Sequence, residues 1–146
     1  MTNFKDIHIG KMIEKRVTEC GVDLFRICSF MKCSQEEINK MYKAESLDAE
    51  VLLRWSKLLE YDFFRIYTQH LILYAPASSE KSTHKNTVLP QFRKNIYTRE
   101  IIDFILELIE SGKKTKFQVI EDYRIPKTTL YKWIEKYRKL ENRQNH

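Results

Sequence analysis

The break between two helical patterns at Ile125-Pro126 constrains this chain more than any other feature of its sequence. Upstream, Phe117, Ile120 and Tyr123 recur at i, i+3 and i+6. Downstream, Leu130, Trp133, Ile134 and Tyr137 recur at i, i+3, i+4 and i+7, a spacing that collects apolar side chains on one face of a helix. Proline has no backbone donor and pushes the residue before it out of helical geometry, so the first helix must end here. A second helix begins with Pro126 in its first turn, where an N–H would have had no intrahelical partner. At 100° per residue, Thr128, Tyr131, Lys132, Glu135 and Lys139 face away from the apolar stripe. The outward face thus starts with a hydroxyl and a lysine near the helix N-terminus. Groups of that kind, from that place, hydrogen-bond to base edges in a major groove.

Charge points to the same half of the chain. Residues 1–75 hold 11 Lys/Arg against 11 Asp/Glu, whereas residues 76–146 hold 15 against 9, so the whole net charge of +6 lies in the second half. Duplex DNA is a dense line of phosphates, and each one neutralised by Lys or Arg releases counterions and adds sequence-independent affinity. Lys113, Lys114 and Lys116 precede the helix pair, while Lys136, Arg138, Lys139 and Arg143 follow its tip. Both flanks are candidate phosphate contacts.

The rest of the chain reads as helix. Gly21 and Gly112 each follow an amphipathic run, where glycine takes the left-handed conformation that ends a helix. Ile9, Met12, Ile13, Val17 and Cys20 form a first stripe, and Leu24, Ile27, Cys28 and Met31 a second, with Asp23 as its cap. Ser34 and Glu37 have the spacing of a capping box and open a third helix with Ile38, Met41 and Tyr42 inward. Asp48 opens a fourth, carrying Val51, Leu52, Trp55, Leu58 and Leu59, and Asp62 a fifth, carrying Phe63, Phe64, Tyr67, Leu71 and Tyr74. The expectation is an all-α chain with one five-helix domain over 1–75. Residues 76–97 read as a linker, beginning in the small, polar run APASSEKSTHKNT that starts at Ala75 and buries nothing. Over 98–146, Thr98 caps a helix with Ile101, Ile102, Ile105, Leu106 and Ile109 inward, completing a tri-helical unit onto which Phe92 and Tyr97 are expected to fold back.

Several classes of function find no residues to support them. With 32% charged residues and no long apolar run, no membrane span is expected, and the N-terminus shows no signal-peptide core. Three cysteines, an odd number on or beside apolar stripes, fit core packing in a reducing cytoplasm. The histidines at 8, 70, 84 and 146 are scattered and the cysteines lack close pairs, so no metal or other cofactor is expected. No glycine-rich phosphate loop occurs, nor a cysteine beside a histidine, and no strand-rich segment could house a nuclease; no catalytic residue is assigned.

The run IPKTTLYKWIEKY, residues 125–137, resembles the second helix of the helix-turn-helix in transposases and in the DNA-binding domain of Hin-type serine recombinases. The resemblance covers roughly 98–140. It implies that Thr128 and Lys132 reach bases in the major groove and that Lys127 and Thr129 lie near phosphates. Tyr131, Lys136 and Lys116 complete the candidate DNA-binding set of this half.

Residues 7–74 resemble the five-helix DNA-binding domain of phage repressors and Xre-type regulators, on the run VDLFRICSFMKCSQEEINKMYKAESLDAEVLLRWSKLLEYDFF. The resemblance implies a reading helix over 34–44 with Gln35, Glu36, Asn39, Lys40 and Lys43 outward. Gln35 and Asn39 suit adenine, and Lys40 and Lys43 suit phosphate or guanine. Glu36 and Glu37 place negative charge at the same tip, and this half has no net positive charge. Two readings stay open for it, a second and weaker DNA reader or a protein-interaction module. The aromatic run EYDFFRIYTQHLILY favours a partner surface, including a homodimer, or simply closes the core.

The sequence thus leads to a cytoplasmic, nucleoid-associated, bacterial-type protein that binds double-stranded DNA as a transcriptional regulator, with no small-molecule ligand evident. The alternatives are a DNA-binding accessory or remnant of a mobile element, and a protein-interaction adaptor that keeps only the fold.

Overall fold

The computed structural model describes residues 4–75, 87–90 and 96–144, with side chains described as far as Tyr137 in the last helix. Among them every regular element is helical. The order is α1 (Ile9–Cys20), α2 (Leu24–Met31), α3 (Gln35–Lys43), α4 (Ala49–Leu58), α5 (Phe64–Tyr74), α6 (Arg99–Glu110), α7 (Lys116–Tyr123) and α8 (Lys127–Gln144). Two compact units divide the chain, one ending at His70 and the other beginning at Leu71, so the division falls inside α5. Most of the expected linker over 76–97 lies outside the described residues, as do Phe92 and the side chains of Arg138, Lys139 and Arg143.

In the first unit α1 packs on α3, and α2 packs on α3 and α4. One cluster joins Ile9 and Ile13 of α1, Ile27 and Met31 of α2, Ile38 of α3, Leu52, Trp55 and Leu58 of α4, and Leu59 and Phe63 beyond it. Trp55 is fully buried, and its indole N–H donates to the Met41 sulfur at 3.4 Å, which satisfies the one polar atom of the ring. The local signals place the helix ends. Gly21 has φ 63° after α1, the left-handed geometry its lack of a Cβ permits. At the start of α3 the Ser34 hydroxyl accepts from the Glu37 N–H while the Glu37 carboxylate accepts from the Ser34 N–H, the reciprocal capping box expected there. Asp48 accepts from the Glu50 N–H at the start of α4.

Some expected inward positions point outward. Cys20, the last residue of α1, is exposed, while Ile9 and Ile13 near its start are buried. Leu71 and Tyr74 are exposed, while Ile72 and Leu73 are buried. Three consecutive apolar residues sweep about 200° of a helix, so periodicity could not choose among them. Leu24 is only partly covered, and Asp23 stands at the cap position of α2 without a side-chain hydrogen bond. Phe4, which belongs to no helical stripe, is buried; its carbonyl accepts from Nδ1 of His70 at 2.7 Å.

In the second unit Thr98 caps α6 through the Ile101 N–H, and α6 packs on α7. Ile101, Ile102 and Ile105 are buried, as are Val119, Tyr123, Ile125, Leu130, Trp133 and Ile134. Tyr97 meets Trp133 edge to face at 5.0 Å, as expected of a residue folding back on the unit. The Arg99 guanidinium lies 3.9 Å from the Tyr137 ring centroid and bonds Asp103 at 2.9 Å, tying the start of α6 to α8. No helix of the described residues is long and apolar enough to cross a membrane.

Candidate nucleic-acid interface

Three residues separate α7 from α8, and each has a distinct task. Arg124 turns the chain with φ 53°, Ile125 is buried to 1% exposure, and the Pro126 carbonyl accepts the Leu130 N–H to start α8. Pro126 therefore sits just before α8, one position earlier than its expected place within the first turn. α7 itself begins with a second capping box, Thr115 with Gln118. The buried Ile125 side chain anchors the turn to the core.

The stripe Leu130, Trp133, Ile134 and Tyr137 faces inward, with the first three buried and Tyr137 half-buried. Thr128, Tyr131, Lys132 and Glu135 are exposed on the opposite side, Lys127 and Lys136 are exposed at its flanks, and Thr129 is half-buried. The outward tip of α8 is thus a hydroxyl, an aromatic ring and lysines. Lys127 and Lys116 both reach the Tyr131 ring, with ammonium nitrogens 5.7 and 5.4 Å from its centroid. Lys116 is the first residue of α7 and Lys127 the first of α8, so the positive ends of two helix dipoles accompany the two ammonium groups. Such a place favours anions. Lys136 lies 5.4 Å from the Tyr137 ring, further along the helix.

Two sequence expectations change here. Phe117 is 71% exposed, because Val119, Ile120 and Tyr123 cover the core instead; Phe117 stands one residue after Lys116, on the outside of α7. Lys114 bonds the Asp122 carboxylate and lies over the Tyr123 ring, so it braces α7 internally. That hydrogen bond, with burial opposing it, holds its ammonium above the ordinary lysine range. Burial, partly offset by Lys114, raises the Tyr123 phenol in turn.

In the first unit Gln35, Glu36, Asn39, Lys40 and Lys43 are all exposed on α3. Glu37 also faces solvent, but its carboxylate is taken up by the Ser34 N–H at 2.7 Å. Of the two carboxylates at this tip, Glu37 serves as a cap. Among the described residues, no three His, Cys, Asp or Glu side chains gather as a metal-ligand set.

No protein-family model, curated protein or solved structure matches this chain.

Proposed function

We propose that this protein binds double-stranded DNA in a sequence-specific way as a transcriptional regulator, through the exposed N-terminal face of α8. The observation that carries the reading is the convergence of Lys116 and Lys127 on Tyr131, beside Thr128 and Lys132, at the tip of a helix reached by a three-residue turn. The lysines and helix ends hold phosphate, and the hydroxyl and the lysine one turn further along read base edges. In this reading α6 to α8 form a tri-helical helix-turn-helix of transposase or Hin type, and α1 to α5 a repressor-like domain. The charge excess of the second half supports that division of labour.

A specific observation favours a different role for the first unit. Phe25 is 78% exposed, and Phe30 and Leu53 are also open to solvent, on a unit without net positive charge. Exposed aromatics of this kind suit a protein partner better than a phosphate backbone.

The test is binding of the full chain to random and selected duplexes across a range of salt, followed by a genome-wide footprint. A steep inverse salt dependence with preferred sites at promoters supports a regulator, and sites at the ends of mobile elements support the accessory role. Absence of any salt-dependent duplex binding leaves the adaptor reading.

A further inference from the structure

The turn between α2 and α3 places two cysteines together. Lys32 has φ 54°, and the N–H groups of Lys32 and Cys33 both donate to the Cys28 carbonyl, the latter at 3.2 Å. This is the helix-ending motif in which the side chains of the residues five apart commonly touch. Bond lengths on either side of that hydrogen bond hold the two Cα atoms within about 7 Å. Disulfide-linked Cα atoms usually stand about 4.4–6.8 Å apart. Both side chains are half-buried and pack against the same apolar cluster. The Cys33 thiol donates to the Met31 carbonyl at 3.3 Å, which keeps it over the end of α2. Cys20, the third cysteine, is exposed at the end of α1.

We infer that Cys28 and Cys33 form an oxidation site that closes to an intrachain disulfide when the protein meets a low-molecular-weight disulfide such as oxidised glutathione. The thiolate of one cysteine attacks a glutathione sulfur, its S–S bond breaks, and one glutathione thiolate leaves. The second cysteine, deprotonated, attacks the protein sulfur of the mixed disulfide and expels the other glutathione thiolate. Two protein thiols lose two hydrogens, and one glutathione disulfide is reduced to two thiols. The new bond joins the end of α2 to the residue before Ser34, so it fixes the entry of α3 covalently.

Three groups set the pace at Cys33. Burial raises its thiol first, the Glu37 carboxylate on α3 raises it further, the Arg54 guanidinium on α4 opposes both, and Cys28 on α2 adds a smaller rise. Closure therefore accelerates as pH rises. Glu37→Gln, which keeps the amide oxygen for the cap, should quicken it.

The experiment treats the full-length Cys20→Ser protein with excess oxidised glutathione, blocks remaining thiols, and cleaves after lysine and arginine. Cleavage at Lys32 separates the two cysteines, so a linked pair of peptides reports the bond. The expected result is a monomer lighter by two hydrogens, with those peptides joined and little glutathione retained. Cys28→Ser and Cys33→Ser should each instead accumulate one stable glutathione adduct, with circular dichroism confirming that they remain helical. Glutathione adducts persisting on both cysteines, links only between copies, or thiols that stay unreacted would each overturn the inference.

Discussion

A Cβ on Gly10 would stand 2.3 Å from the carbonyl oxygen of Met41, and within 2.7 Å of the carbonyls of Tyr42 and Ala44. The first turn of α1 is pressed against the last turn of α3 so closely that backbone meets backbone. The Ile9 and Gly10 N–H groups donate to Glu45 and Ala44 at 3.0 Å each. Donors left over at the start of one helix thus satisfy carbonyls at the end of another, with the two dipoles favourably opposed.

This contact reverses the usual sign of a glycine substitution. Alanine inside a helix ordinarily stabilises by about 0.5–1 kcal/mol relative to glycine. Gly10→Ala should instead destabilise by about 1–3 kcal/mol, the cost of overpacking, because the obstructing atoms are backbone. A urea midpoint that rises in the variant would show that α1 and α3 separate easily.

The caps differ in a way that stability measurements can read. Ser34→Ala and Asp48→Ala each remove an observed side-chain bond to a helix N-terminus and should cost about 1 kcal/mol. Asp23 occupies the same kind of position without such a bond, so Asp23→Ala should change the midpoint little. A loss at Asp23 equal to that at Ser34 would mean that charge near the helix end matters more than the hydrogen bond.

What the sequence made legible and what it hid follow from the range of the forces involved. Capping at Ser34, the left-handed Gly21 and the stripe from Leu130 to Ile134 are local, and pattern and residue type place them. The inward choice of Ile72 over Leu71 depends on what lies opposite, as does the exposure of Phe117. The grouping of Lys116 with Tyr131 crosses from one helix to the next, and no spacing along the chain announces it. Lys114 was legible as a basic residue, but its engagement by Asp122 eight positions on was not.

Alkaline pH should unfold the protein more readily than its net charge alone implies. Burial raises the phenols of Tyr42 and Tyr67 above the ordinary value of 10.0, and burial likewise raises Tyr123. A group whose pKa is higher in the folded state binds its proton more tightly there. Its contribution is complete below the unfolded value and is lost as pH rises through the folded one. Stability should therefore fall from about pH 10 upward, and Tyr42→Phe should reduce the slope in that range. A midpoint that stays level to higher pH in the parent protein would contradict the partial burial of Tyr42 and Tyr67 and the burial of Tyr123.

The lysines around Tyr131 make the DNA reading separable into its parts. Lys116→Ala and Lys127→Ala should weaken random and selected duplexes alike and each lower the salt slope by about one. Lys132→Ala should cost about 1–3 kcal/mol on the selected site and far less on random DNA, since its place beside Thr128 suits a base edge. Tyr131→Phe keeps the ring that both ammonium groups approach and should bind nearly as the parent does. Tyr131→Ala removes that platform, with a loss of about 0.5–1 kcal/mol for each lysine it orders. Lys114 is the internal control, because Asp122 already holds its ammonium. Its alanine variant should be less stable yet keep the salt slope. If Lys132→Ala lost equally on both duplexes, it would be a phosphate contact and the specificity would lie elsewhere; if Lys114→Ala changed the slope as Lys116→Ala does, the surface would be a diffuse basic field rather than a site built around Tyr131.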